Sequence, residues 1–163
     1  MKTTGAALAA VLLTATTGWA QTPDHGYFAA GVEFGAPYKL AGSLRYDLPL
    51  FALKPSDTGF GLQPIVSAGM GGAKAGLGIL IAGNAGLFSA RAVASRTFDH
   101  PLGLAPRRGW VGAEVEWSFV HFVSAQVGVL KPSGGGDVAF TWAVGIGLPL
   151  VDYEDLFPCP GCH

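Results

Sequence analysis

The chain has 163 residues, 50% of them hydrophobic and 13% charged, with a formal net charge of −1. That length suits one domain, and 10 basic against 11 acidic residues give no basic patch, so nucleic-acid binding is unsupported. The 2 cysteines both fall in the last five residues, which excludes a disulfide-stapled scaffold for the body of the chain.

The first twenty residues read as an export signal. Lys2 supplies the positive start, residues 5–13 the apolar stretch, and Gly18-Trp19-Ala20 the small residues before a cleavage point. A membrane-anchoring helix is the weaker reading, since the apolar run falls far short of the ~20 residues a bilayer requires. The mature chain then starts at Gln21.

From there the sequence predicts strands over 26–34, 38–48, 62–70, 73–82, 87–98, 110–119, 121–130 and 138–148. The clearest is the sixth. Val111, Ala113, Val115, Trp117 and Phe119 alternate with Gly112, Glu114, Glu116 and Ser118, the period-2 pattern of a strand with two different environments on its faces. Turn chemistry separates the strands at Gly35-Ala36-Pro37, Gly71-Gly72, Gly83-Asn84-Ala85 and Ser133-Gly134-Gly135-Gly136. Longer connections are expected at 49–61 and 99–109. The run 75–90 is the nearest thing to a spanning helix, but Gly76, Gly78, Gly83 and Gly86 argue against it.

A soluble barrel would show long charged side chains on its polar face. Here that face is small: on the eighth strand Ala139, Thr141, Ala143, Gly145 and Gly147 oppose Val138, Phe140, Trp142, Val144, Ile146 and Leu148. Small residues suit a narrow lumen filled by side chains. The expected fold is therefore an all-β, antiparallel up-and-down transmembrane barrel of about eight strands over 21–150, greasy outside and polar inside.

Charges within the strands fall mainly on the small-residue face: Glu33, Lys39, Arg45, Asp47, Lys74, Arg91, Glu114 and Glu116, with Arg96 the exception. Buried charges are costly unless paired. Arg45 and Arg91 with Asp47, Glu114 and Glu116 are thus expected to form an ionic network in the lumen, as packing; a gated proton or ion path is the functional alternative. Tyr27, Phe34, Tyr38, Trp110, Trp117 and Phe119, near strand ends, are expected to form interfacial girdles.

In this pattern the chain resembles the small outer-membrane barrels of Gram-negative bacteria, the OmpA-like and OmpX-like group, over residues 26–148. The resemblance implies an even strand number, both termini in the periplasm and insertion by the outer-membrane assembly machinery. Two features depart from it. Fifteen residues follow the last strand, and the long 49–61 connection would be periplasmic where such proteins have short turns.

The sharpest chemical motif lies in the tail 151–163. Cys159-Pro160-Gly161-Cys162-His163 matches the attachment signature of c-type haem, in which two thiols bond the vinyl groups and the histidine ligates iron. An eight-stranded lumen cannot house the macrocycle, so a haem would sit under the periplasmic mouth, with His25 or His121 as candidate distal ligands. A Cys159–Cys162 disulfide or an inert tail is the plainer reading, and zinc or copper capture a further one. The expectation is no cofactor, with haem c as the alternative. No catalysis is expected either: His121 and Ser124 fall on opposite strand faces, and no histidine joins Glu116 and Ser118. The resulting expectation is a structural or interaction role in the outer membrane. Lipids and assembly machinery would surround the barrel, a periplasmic or extracellular protein is a possible partner, and the 99–109 loop, which contains His100, Arg107 and Arg108, is the expected external contact surface. The rivals are a barrel-anchored haem or redox tail, and a soluble exported barrel with an apolar ligand inside.

Overall fold

The computed structural model describes residues 26–52, 59–83, 86–119 and 122–150. Among them, eight antiparallel strands follow one another around a closed barrel: β1 (Tyr27–Ala36), β2 (Lys39–Ala52), β3 (Gly59–Gly69), β4 (Gly72–Gly83), β5 (Gly86–Thr97), β6 (Gly109–Phe119), β7 (Val123–Pro132) and β8 (Ala139–Leu150). Each strand pairs with its successor, and β8 returns to β1 with Phe28 opposite Leu150 and Ala36 opposite Trp142. Closure leaves no strand edge unpaired. The all-β up-and-down barrel read from the alternation is the observed architecture. The export signal 1–20 and the tail 151–163 lie outside the described residues.

The second strand is longer than the sequence suggests. Pro49 reads as a strand end because proline cannot donate to a ladder. β2 nevertheless continues to Ala52, and its register against β3 shifts between Pro49 and Phe51. A bulge absorbs the missing donor. With β3 beginning at Gly59, the connection expected at 49–61 contracts to 53–58. The longest connection, 98–108, lies at the end of the barrel that also carries 37–38, 70–71 and 133–138 (the loop end), opposite the strand termini Tyr27 and Leu150.

Polarity is inverted relative to a soluble barrel. On β6, Trp110, Glu114, Glu116 and Ser118 are buried while Val111, Val115 and Trp117 face outward and exposed. On β8 the outward row is Phe140, Trp142, Val144, Ile146, Leu148 and Leu150, all exposed, against buried Thr141 and Ala143. Phase decides orientation, and it corrects the expected girdles. Phe34 and Trp117 are outward, but Tyr38 and Trp110 are buried and Tyr27 shares the inward phase of Ala29 and Glu33. Phe28, Phe60, Phe88 and Phe140 are further outward aromatics near strand ends.

The glycines of the inner face have a packing reason. Gly78 on β4 stands opposite Arg91 on β5, Gly128 on β7 opposite Glu114 on β6, and Gly145 on β8 opposite Glu33 on β1. A Cβ at Gly78 would lie 2.6 Å from the Cβ of Arg91, and one at Gly128 2.6 Å from the Cγ of Glu114. Each long charged side chain therefore lies over a neighbour that has no side chain. Gly42 is different, since it faces outward with nothing within 4 Å of a Cβ. Gly42→Val is expected to stabilise the barrel by about 0.5–1 kcal/mol, by restricting the unfolded chain and favouring an extended backbone. Gly78→Val is expected to destabilise it by about 1–3 kcal/mol through overpacking. The midpoints of urea unfolding of the two variants check the contrast, and equal shifts would refute it.

Candidate functional site

The lumen holds the only dense set of charged side chains among the described residues. Because strands feed it at successive registers, residues far apart in sequence meet there. Arg45 Nη1 donates to Glu116 Oε1 at 2.8 Å, and Arg91 Nη2 lies 2.6 Å from Glu116 Oε2. Glu114 Oε2 accepts from Arg91 Nε at 3.3 Å and from Lys74 Nζ at 3.0 Å. Lys74 also lies 3.5 Å from Glu33, and Arg45 lies 3.9 Å from Asp47. The order is Asp47, Arg45, Glu116, Arg91, Glu114, Lys74, Glu33. Signs alternate at every step.

The structure thus brings together all five residues singled out from the sequence, Arg45, Asp47, Arg91, Glu114 and Glu116. It adds Lys74 and Glu33, which share the small-residue face but were left out of the expected network. Two glutamines cross-brace the chain. Gln63 donates to Asp47 Oδ1 at 2.7 Å and accepts from Arg91 Nη1 at 3.4 Å. Gln126 accepts from Arg91 Nη2 at 2.5 Å and from Lys74 at 3.1 Å, and donates to Glu33 at 3.4 Å. Sequence reasoning missed both because it sorted charges only. Their inward phase, Gln63 with Ile65 and Ser67 and Gln126 with Gly128 and Leu130, was the available signal.

Enclosure sets the energetics. The side chains of Lys74 and Arg91 are 0% exposed and that of Glu114 is 1%. Charges this far from water are tolerated only when paired and hydrogen-bonded, and here every cation touches at least two carboxylates. Lys74 Nζ also stands 5.5 Å from the centre of the Tyr38 ring, within range of a cation–π contact. An ion or a proton entering here would meet closely paired carboxylates and cations.

Above this chain the lumen is closed by apolar packing. Val93, Trp110 and Leu130 form a buried cluster near the loop end, with Leu104 of the 98–108 connection and Ala139 packed on it. That connection folds across the mouth. Leu102 N–H donates to the Pro37 carbonyl at 2.9 Å, and Phe98 N–H to the Gly71 carbonyl at 2.9 Å. Thr97 Oγ1 is the latch: it donates to the Ala105 carbonyl at 2.7 Å and accepts from Arg108 N–H at 3.1 Å and Trp110 Nε1 at 3.4 Å. Arg107 pairs with Asp99, and Arg108 Nη2 donates to the Gly135 carbonyl at 2.7 Å. Of the loop residues expected to form a contact surface, His100 and Arg107 are exposed, while Arg108 is bonded to the neighbouring loop.

Thr97→Val removes the hydroxyl at nearly constant volume and strands three partners, a local cost of about 1–3 kcal/mol. The expected result is cleavage by trypsin after Arg107 and Arg108 about tenfold faster, with the barrel's unfolding midpoint little changed. Unchanged proteolysis would show that the loop does not depend on this latch.

Neither a protein-family model, nor a curated protein, nor a solved structure matches the chain. The remaining sequence candidates, Cys159, Cys162 and His163 with His25 and His121, fall outside the described residues. Among the described residues no group of three or more His, Cys, Asp or Glu is placed to hold a metal ion. Ser118 Oγ donates to Glu116 Oε1 at 2.8 Å, and Arg45 Nη1 reaches the same hydroxyl at 3.4 Å, which ties Ser118 into the ion chain.

Proposed function

We propose that this chain is an exported outer-membrane β-barrel with a structural or interaction role and a lumen closed to conduction. The observation that carries the reading is the inverted polarity. Among the described residues, the outward faces of the eight strands bear only two charges, Arg96 and Lys131, both near the loop end. Inside, four carboxylates and three cations pair in alternation. A soluble monomer rarely exposes an apolar patch beyond a few hundred Å², whereas here apolar residues dominate the wall on all eight strands.

Dimensions support the same reading. The outward row of β8 is apolar from Phe140 to Leu150 without a break. Ten residue steps at about 3.4 Å give roughly 34 Å along the strand, and a tilt of about 40° reduces that to about 26 Å across a bilayer, close to the ~25 Å band of such barrels. The signal-like first twenty residues and the resemblance to small outer-membrane barrels agree with export and insertion. The rival soluble barrel with an apolar ligand inside is disfavoured, because the interior is polar and ion-paired along its middle.

Membrane fractionation after expression with residues 1–20 tests the proposal. The expected result is recovery in the outer-membrane fraction, resistance to extraction by urea, and a heat-dependent shift in gel mobility. Recovery in the soluble periplasm would overturn it.

A further inference from the structure

Outward-facing charges in a lipid-facing wall are costly unless they reach the headgroup region. Arg96 and Lys131 meet that condition, sitting one residue before the ends of β5 (Thr97) and β7 (Pro132) at the loop end. Both are exposed, and beyond the backbone ladder neither side chain has a hydrogen-bond or ion-pair partner among the described residues. They are also close together. Arg96 lies opposite Gly109 on β6, and Lys131 opposite Val111 on the same strand. Two strand spacings and a two-residue offset separate their backbones by about 12 Å. Two long side chains converging from that distance can meet on a single anion. Beneath them the wall is apolar, with Val111 on β6 and Val129 on β7 exposed.

The surrounding charge points the same way. At the loop end the described residues carry Lys39, Arg96, Arg107, Arg108 and Lys131 against only Asp99 and Asp137. Asp99 is taken by Arg107 and the Arg108 guanidinium by the Gly135 carbonyl. The two cations left without partners on the outer wall are Arg96 and Lys131.

We propose that Arg96 and Lys131 form a binding site for the phosphate headgroup of an anionic membrane lipid, whose acyl chains lie on the outward face of β5–β7. This rests on the reading of the chain as a membrane-spanning barrel. A lipid is the occupant because the site joins positive charge to an apolar wall at one level, the layout of an anionic amphiphile. A soluble acidic protein could meet the cations but not the wall below them. Arginine and lysine favour phosphate oxygens through charge-assisted hydrogen bonds, and each cation near a membrane surface strengthens anionic-lipid binding by about fivefold.

The test uses the purified full-length protein in a neutral maltoside detergent, titrated with phosphatidic acid or phosphatidylcholine and read by native mass spectrometry. Phosphatidic acid is expected to bind at least about tenfold more tightly than phosphatidylcholine. R96Q and K131Q should each weaken it about fivefold, and the double variant about thirtyfold. R107Q, whose partner is Asp99, should bind as the wild type does, and millimolar inorganic phosphate should not displace the lipid. Equal binding of the two lipids, retention by the double variant, or displacement by inorganic phosphate would each overturn the site. Insertion into phosphatidylcholine vesicles and the heat-dependent gel shift are recorded on the same preparations. Normal insertion with no lipid preference removes the lipid site alone, whereas failure to insert removes the membrane reading and the site with it.

Discussion

Glu114→Ala is expected to destabilise the folded barrel by about 3–5 kcal/mol, the cost of leaving buried charge uncompensated. One oxygen of Glu114 serves both Lys74 at 3.0 Å and Arg91 at 3.3 Å. Lys74 then retains only Glu33 at 3.5 Å as an ion-pair partner, and Arg91 retains Glu116 at 2.6 Å. Both cations are out of reach of water, so neither can be rescued by solvation. Glu114→Gln keeps the shape and one acceptor, and should cost less than the alanine variant. Combining Glu114→Ala with Lys74→Met removes the stranded cation as well and should recover part of the loss, the signature of direct coupling. The urea midpoint of the heat-dependent gel shift measures all three. A loss below about 1 kcal/mol for Glu114→Ala would mean that water fills the lumen and screens the pairs.

The second large effect concerns the opposite face. Val144 lies midway along the apolar row of β8, with Phe34 of β1 and Ala125 of β7 opposite it on the same outward face. Val144→Arg is expected to reduce the stability of the barrel in phosphatidylcholine vesicles by about 2–4 kcal/mol, because the charge would sit near the bilayer midplane. The same change at Leu150, near the strand terminus, should cost about 0–1 kcal/mol. That gradient with depth belongs to a bilayer. A wall facing water would accept arginine equally at both positions, and a flat profile would sink the membrane reading.

Much of the barrel was legible because alternation carries two signals at once, where strands lie and which way each residue points. Trp110 shows how the second can be overlooked. Its position near a strand end suggested an interfacial aromatic, yet it shares phase with Gly112, Glu114 and Glu116 and is buried like the two glutamates. Residue type misled where phase would have decided. Pro49 misled in another way: a missing backbone donor ends most strands, but a bulge between Pro49 and Phe51 carries β2 on to Ala52. The inward fold of residues 98–108 left no pattern to read, since it depends on single contacts such as the Thr97 hydroxyl with the Ala105 carbonyl. The ion chain was legible in its members and not in its order, because strand tilt determines which inward charges meet.

The sequence distances within that chain bear on how the barrel is assembled. Glu116 is 71 residues from its partner Arg45, and Glu33 is 93 residues from Gln126. No hairpin taken alone satisfies every charge it carries: β1–β2 would carry Glu33 without Lys74, β4–β5 would carry Lys74 and Arg91 without a carboxylate, and β5–β6 would pair Arg91 with Glu114 and Glu116 but leave Glu116 without Arg45 and Glu114 without Lys74. A partly inserted sheet would therefore expose unmatched charge to hydrocarbon at every stage before β6 and β2 face each other across the interior. If the barrel inserts into a membrane as proposed, such intermediates are penalised and the closed ring is not, so insertion should proceed as one concerted event, with strand closure and charge pairing completed together.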